Sequence, residues 1–472
     1  MKEKLYIYYT NDLHSHFMQW PRTAGYLKTM KRKRKSHGDD YFLVDAGDHM
    51  DRVHPISEAS MGKANVEMLN EVGYDVVTIG NNEGITLGHD ELYHLYDEAD
   101  FRIVCANLKH QQGKPPSWLS ASEIFETESG IRIGFIGLTA PFNAFYEPLG
   151  WHLTSPYEEL AEQIGPLTEK TDIIVLLSHL GFSEDEEIAR RFPEVDVIIG
   201  GHTHHLLKSG MHVNNSLLTA AGKHCMFAGE VVITYDHFRK QVIEKEAYAV
   251  DVSDYPPDEE TKKLVDAWNE EAEDTLNEKV VELAHPLEVD WYKDTPIMQD
   301  LTDTVRKWTN ADVSLLNAGL LLDEVPKGTV TYGDIHRICP HPINPVVVHL
   351  RGDELIEVIR ASLKKDFMEI ELKGFGFRGK VIGRMLFSGI SVATKIHSDG
   401  TEAVKDVSFP DGSEVDKQRT YRIATADTFT FGRLLPEIAK SEMKEYFLPE
   451  FLRDLLLETL KRNYTKEGHV NR

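Results

Sequence analysis

The sequence predicts an α/β (α+β) chain of two domains, and three observations lead there. Short apolar, β-branched runs alternate with helix-like stretches from the first residues to about residue 205, the pattern of a layered α/β domain. The segment Asp254-Tyr255-Pro256-Pro257 breaks that pattern, since proline continues neither element well. A second set of apolar runs begins near Leu283. The resulting boundaries are 1–253 for the first domain, 254–283 for a linker helix and 284–472 for the second domain.

Taken in order, residues 5–10 form the opening strand, and 23–30 a helix whose basic end, 31–35, is a solvated terminus before the turn Ser36-His37-Gly38-Asp39. Residues 41–44, 76–79, 173–177 and 197–199 are short, continuously apolar and bounded by Gly or Asp, as buried parallel strands are. Residues 231–235 and 248–252 close the domain. Leu264, Val265, Trp268, Ala272, Leu276 and Val280 recur at spacings of one, three or four, which gives the linker an apolar stripe. In the second domain 313–316, 346–350, 390–394 and 421–425 are strands, and 353–364, after Arg351-Gly352, is a helix.

With 472 residues, 41% hydrophobic and 27% charged, the composition is that of an ordinary soluble protein with a large core. Lys and Arg number 52 against 77 Asp and Glu, a net charge of −25 that repels polyanions. Long nucleic acid is therefore excluded as a partner, whereas a small phosphorylated ligand held through cations is not. No apolar stretch approaches the ~20 residues of a membrane span, and the first residues enter a strand without a signal-type core. A cytoplasmic protein without a membrane partner is expected. Cys105, Cys225 and Cys339 are odd in number and widely spaced, and so are expected to be reduced, buried thiols.

Seven metal-type side chains stand at the ends of five runs. Asp12 and His14 follow 5–10, Asp48 follows 41–44, Asn81 follows 76–79, His179 follows 173–177, and His202 and His204 follow 197–199. Open α/β sheets place their sites at the carboxyl ends of strands, so the five ends converge. Asp12 and His14 are two apart, as are His202 and His204, which in extended backbone points both to one side. Asp48, with two oxygens, can bridge two cations, and Asp45 is better placed to orient a ligand than to be one. Mixed nitrogen and oxygen ligation without thiolate suits Mn²⁺, Zn²⁺, Fe²⁺ or Co²⁺. Two such ions ~3.5 to 4 Å apart lower the pKa of a shared water, clamp a phosphoryl group and stabilise in-line displacement. Hydrolysis of a phosphate ester is the expected reaction.

In this order, Thr10-Asn11-Asp12-Leu13-His14, Asp45-Ala46-Gly47-Asp48, Gly80-Asn81, Ser178-His179 and Gly200-Gly201-His202-Thr203-His204 resemble the bacterial 5′-nucleotidase family. The likeness continues through Asn317-Ala318-Gly319, Tyr332-Gly333-Asp334-Ile335 and Pro342-Ile343-Asn344. It implies a calcineurin-like metallophosphoesterase domain, a four-layer β-sandwich flanked by helices, followed by a smaller mixed α/β substrate domain. It further implies one metal at Asp12, His14, Asp48 and His204, a second at Asp48, Asn81, His179 and His202, and a metal-bridged hydroxide attacking the phosphorus of a nucleotide or related small ester.

The chain departs from that family twice. Where the family has Gly-Asn-His-Glu-Phe-Asp, residues 80–85 read Gly80-Asn81-Asn82-Glu83-Gly84-Ile85, so the His-Asp dyad is absent. Asn82, which can donate a hydrogen bond to a phosphoryl oxygen but cannot transfer a proton as imidazole does, and His89 are the candidate catalytic residues in its place, with His205 nearby. Where the family has Asn-Gly-Gly-Gly-Ile-Arg, Leu322 replaces the arginine. The candidate substrate-binding residues are Asn317, Phe387 and Phe429, and Arg378, Arg384 and Arg433 are candidates for the missing phosphate contact. A nucleotide-sugar pyrophosphatase, a cyclic-nucleotide phosphodiesterase and a weakly catalytic nucleotide sensor are the alternatives. Gly374-Phe375-Gly376-Phe377-Arg378-Gly379-Lys380 mimics a phosphate loop, but Val381 stands where Ser or Thr is needed, so this is read as an ordinary loop.

Overall fold

Alternation of side chains along the strands builds the first half of the chain into layers. Leu5, Ile7 and Tyr9 of one sheet meet Ile133, Phe135, Ile173, Val175, Leu177, Val197 and Ile199 of another in a shared core. The intervening residues Ile136, Leu138, Ile174, Leu176 and Ile198 turn the other way, onto Leu160, Ile164, Leu167 and Ile188 of the helices Pro156–Lys170 and Phe182–Arg191. A strand buried on both faces needs no polar alternation, which is why these runs are continuously apolar. The computed structural model describes residues 2–398, 402–432 and 434–464. Its contacts divide the chain into two units, Met1–Ala272 and Glu273–Arg472.

In the first unit one sheet has the strand order Gln241–Asp251, Phe227–Asp236, Lys2–Thr10, Tyr41–Asp45, Val76–Val77, Arg102–Val104 and Leu119–Ser120. The other runs Met211–Val213, Ser216–Thr219, Val197–Gly200, Ile173–His179, Arg132–Thr139 and Ser122–Glu126. Lys2–Thr10, Tyr41–Asp45 and Val76–Val77 are parallel neighbours, as are Ile173–His179 and Val197–Gly200. Parallel pairing brings their carboxyl ends out at the same edge of each sheet. The run expected at 76–79 is a strand only over Val76–Val77, because Gly80 caps a helix that Asn81 begins.

The helix Glu259–Leu276 covers only part of the stretch expected to be a linker helix. Residues 279–283 are instead the strand Lys279–Leu283, antiparallel to Gly328–Thr331. Val281 and Leu283 bury at period two, a strand signal that the charged helix before them obscures. Within the first unit this helix is tied down by Lys28 to Asp258 (2.8 Å), Thr261 to Glu71 (2.7 Å) and the indole N–H of Trp268 to Glu67 (2.9 Å).

The second unit contains the five-stranded sheet Met385–Ser388, Val313–Asn317, Thr420–Ala426, Pro345–Arg351 and Lys444–Tyr446. Only Val313–Asn317 and Thr420–Ala426 pair in parallel; the other neighbours are antiparallel. Leu301, Leu315, Val347, Ile423 and Leu456 lie in its core. The three cysteines are free and buried, and burial pushes the thiols of Cys105 and Cys339 up to about 12. Among the described residues no helix is long and apolar enough to cross a membrane.

Candidate metal centre

Every ligand-type side chain is delivered by backbone leaving a strand. Residues 11–15 follow Lys2–Thr10, 46–51 follow Tyr41–Asp45, Asn81 starts Asn81–Thr86, His179 ends its strand, and 201–205 follow Val197–Gly200. Asp12, His14, Asp48, His202 and His204 have φ of 51°, 47°, 54°, 69° and 57°. Such a conformation costs ~1–3 kcal/mol for a non-glycine residue and gathers at functional sites, where the surroundings hold it. Here the holding bonds are Asp12 N–H to the Gly47 carbonyl (3.0 Å), His14 N–H to the Asp48 carbonyl (2.9 Å) and His202 N–H to Asp12 Oδ1 (3.0 Å). The loops approach so closely that a Cβ on Gly80 would strike Asp48.

The side chains converge accordingly. His14 Nε2 and His204 Nε2 are 3.1 Å apart, and Asp12 Oδ1 lies 3.8 and 3.5 Å from them. Asp48 Oδ2 is 3.8 Å from His14 Nε2 and 3.3 Å from His179 Nε2. Asn81 Oδ1 is 2.8 Å from His202 Nδ1, and the His179 and His202 rings meet edge to face at 5.3 Å. Asp12, His14 and His204 form one potential ligand group, and Asp12, Asp48 and His179 another, each with ligand atoms within 4.8 Å of one another.

His179 tests whether these residues fit a cation. Its Nδ1 donates to the Ala46 carbonyl (2.8 Å), which turns the buried Nε2 toward Asp48 Oδ2 at 3.3 Å, where it makes no well-directed hydrogen bond. An imidazole locked in one tautomer with an orphaned nitrogen aimed at a carboxylate is the state of a metal ligand. The two buried carboxylates, Asp12 and Asp48, add oxygen donors and negative charge facing these imidazoles. The donor set therefore fits divalent cations that accept imidazole and oxygen ligands.

Electrostatics agree. Burial drives Asp12 up to about 6, with His179 opposing and Asp48 adding to the rise. Burial also acts on Asp48, but His179, His14 and the Asn82 N–H outweigh it and hold the carboxyl below the usual range. For His179 burial disfavours charge and Asp48 reverses the outcome, holding it up at about 10. A cation competes with that proton and displaces it. Burial, reinforced by His179 and His14 respectively, lowers His202 and His204 to about 4, so both are neutral at pH 7.

Three side chains inside the motifs position the loops. Glu83 accepts the N–H groups of Asp48 (3.0 Å), Gly80 (2.8 Å) and Met50 (2.8 Å). Asn11 donates to Asp12 Oδ2 (2.7 Å) and to the Gly222 carbonyl (2.7 Å). Asp45 accepts from Thr10 (2.6 Å) and Gly47 N–H (2.9 Å), so it shapes the loop that carries Asp48.

Other expected site residues lie elsewhere or do something else. The Asn82 amide donates to Asp48 Oδ2 (2.9 Å), and its nitrogen lies 3.0 Å from His14 Nδ1, so the side chain sits against two residues of the cluster. His89 bonds Asp90 (2.8 Å) and His110 (3.0 Å) and stacks near Trp151, rather than joining the cluster. His205 engages Thr203 (2.9 Å) and stacks on Phe182. Asn317 is buried and donates to the Ile382 carbonyl (2.8 Å), and Phe387 is half-buried against the core of the second unit. Phe429 is 1% exposed and packs on Phe367, so neither ring face is open to a base. Arg384 is committed to Asp294 (2.6 Å) and Glu402 (2.8 Å), and Arg433 lies outside the described residues. His16 and His224 stack at 3.7 Å beside His14, a contact between segments far apart in sequence that no motif announces.

Residues 5–206 match the calcineurin-like phosphoesterase family and residues 279–433 the 5′-nucleotidase C-terminal domain. The chain is 42% identical over 457 residues to the uncharacterized metallophosphoesterase YunD of Bacillus subtilis, covering 97% of this chain and 99% of that protein. It is 26% identical over 477 residues to the trifunctional nucleotide phosphoesterase protein YfkN of the same organism, covering 89% of this chain and 31% of that protein. The 5′-nucleotidase precursor of Thermus thermophilus shares the fold, with a TM-score of 0.59, 20% identity, and coverage of 99% of this chain and 98% of that one.

Proposed function

We propose, for a chain that belongs to the calcineurin-like phosphoesterases and carries the 5′-nucleotidase C-terminal domain, that its substrate is a nucleotide or a related small phosphate ester and that two divalent cations serve the reaction. Membership makes the protein a metal-dependent phosphoester hydrolase. The observation that carries the finer reading is the orphaned His179 Nε2, 3.3 Å from the same Asp48 oxygen that faces His14 at 3.8 Å. Asp12, His14 and His204 make one donor group, Asn81, His179 and His202 the other, and Asp48 touches both. Mn²⁺, Zn²⁺, Fe²⁺ and Co²⁺ all suit such donors.

Cations bound there would acidify a water and neutralise charge on a phosphoryl group. The chain's own residues do the rest by fixing geometry. Asn82 pins Asp48 and lies against His14, Glu83 locks the backbone of two loops, and Asp12 holds the His202 N–H. Because an asparagine amide cannot transfer a proton as imidazole does, the cluster lacks the proton donor that the family has at this position. Substrates with good leaving groups suffer least from that loss, which favours as a second reading a phosphodiester or nucleotide-sugar anhydride. The acidic surface disfavours long nucleic acid, and three buried free thiols suit a reducing, cytoplasmic setting.

The test is turnover by Mn²⁺-loaded protein on a nucleoside 5′-monophosphate, a cyclic nucleotide, a nucleotide sugar and p-nitrophenyl phosphate. Hydrolysis that disappears in Asp48→Ala is expected. Failure of the wild type on all four would refute the reading, and the ratio of monoester to diester rates separates its two forms.

A further inference from the structure

The strand Arg132–Thr139 runs parallel to Ile173–His179, with Thr139 beside His179, so its carboxyl end opens at the same edge as the metal cluster. What leaves that end is apolar rather than ligating: Ala140, Pro141 and Phe142. The segment is fixed from both sides. The Asn107 side chain accepts the Thr139 N–H (3.0 Å) and donates to the Thr139 carbonyl (2.8 Å), and Asn143 does the same for Leu153 (2.7 and 2.8 Å). The Phe142 carbonyl accepts the N–H groups of Phe145 (2.8 Å) and Tyr146 (3.2 Å). Tyr146 is buried, and a Cβ on Gly84 would strike its ring, so the segment is seated on the helix that Asn81 begins.

On this base the Phe142 side chain stands beside the cluster. Its ring centre is 5.6 Å from that of His202, at an interplanar angle of 51°, and the His202 ring in turn meets His179 at 5.3 Å. Contact with His202 leaves 36% of the residue exposed. Phe182, which follows His179 in the neighbouring loop, is half-buried and stacks on His205 at 4.6 Å. A single exposed apolar residue is ordinary on a protein surface and carries no meaning by itself. Phe142 differs because it touches a donor of the cluster and because its backbone is held in place before any ligand arrives. A fixed ring offers contact area at little cost in conformational entropy, and ligand sites combine such apolar walls with a few polar anchors. Here the polar anchor is the cluster, and the Phe142 ring is the wall beside it.

We propose that Phe142 is a specificity-determining residue whose ring is the platform for the organic part of the ester, next to the phosphoryl group held at the cluster. The substrate class is then a phosphate ester with a flat or apolar face close to the ester oxygen, in preference to the phosphate of a small polyol or an inorganic polyphosphate. This deepens the hydrolase reading and rests on it. Phe142 contacts the substrate and takes no part in bond making, so it governs discrimination between ligands and leaves metal affinity alone.

The decisive experiment is binding. Mn²⁺-loaded wild type, Phe142→Ala and Phe142→Tyr are titrated calorimetrically with phenylphosphonate and with methylphosphonate, which share the phosphoryl group and differ in the face they offer. Wild type should bind the phenyl compound more tightly. Phe142→Ala should lose about fivefold of that preference, the size of one aromatic contact, and Phe142→Tyr, which keeps the ring, should retain it. An unchanged ratio of the two affinities in Phe142→Ala overturns the platform, including the case in which both affinities fall together, because the ring then only supports His202. A wild type without the preference overturns it as well. Because the readout is not turnover, the two proposals fail separately. A wild type that shows the ring-dependent preference yet cleaves no ester contradicts only the hydrolase reading, and one that cleaves p-nitrophenyl phosphate without the preference contradicts only the platform.

Discussion

Asp48 and Asp427 occupy comparable places in the two units and end in opposite electrostatic states. Both follow the carboxyl end of a buried strand, and their exposures are 2% and 5%. Asp48 faces His179 and His14 and accepts two hydrogen bonds from Asn82, which keeps it ionised. Asp427 accepts the Asn344 N–H (3.1 Å), no cationic side chain pairs with it among the described residues, and burial pushes it up to about 7. Burying a carboxylate thus makes it hold its proton; a metal site additionally needs facing donors with open lone pairs. Two histidine pairs teach the same lesson. His14 and His204 are 3.1 Å apart and His89 and His110 are 3.0 Å apart, but only the first pair sits among buried carboxylates on strained backbone.

The contrast breaks most visibly if Asp48 is removed. Asp48→Ala should lower kcat/KM on the order of 10³-fold or more, a loss of at least about 4 kcal/mol in transition-state stabilisation, and should empty the site by metal analysis. Asp427→Asn should leave activity alone and change the pH dependence of stability. The folded Asp427 binds its proton more tightly than the unfolded chain does, so its stabilising contribution is complete below the unfolded value near 4 and is lost as pH rises through about 7. At pH 8 the asparagine variant should therefore be the more stable, by an amount up to on the order of 4 kcal/mol. Near pH 4 the two should converge, as read from chemical denaturation at each pH; a difference that is flat with pH would contradict the assignment.

Smaller effects sharpen the boundary. Asn82→Ala removes the side-chain donor that holds Asp48, and metal affinity measured by calorimetry should fall roughly 10- to 100-fold. His89→Ala should change kcat/KM less than twofold, because its ring bonds Asp90 and His110. A large loss there would mean that the exposed histidine pair belongs to the chemistry after all.

Much of the cluster was legible because its donor-type side chains are written locally. Asp12-Leu13-His14 and His202-Thr203-His204 each follow an apolar run at once, so the strand and the candidate ligand are read together. The fold's layers were legible for the same reason, since 173–177 and 197–199 are apolar on both faces and need cover on both. What stayed hidden depends on pairings across long separations. That Asn82 sets its amide against Asp48 and His14, that Asn11 clamps residues 221 and 222, and that His224 stacks on His16 are consequences of loops meeting in space. Phe429 misled because an aromatic in a polar segment, Asp427-Thr428-Phe429-Thr430, carries no periodicity to mark it as core.

Anomalous diffraction from crystals of the Mn²⁺-loaded protein tests the central claim most directly. Two peaks ~3.5 to 4 Å apart are expected, with Asp48 between them, Asp12, His14 and His204 on one side and Asn81, His179 and His202 on the other. A single peak, or peaks at His89 and His110 with none beside Asp48, would contradict it.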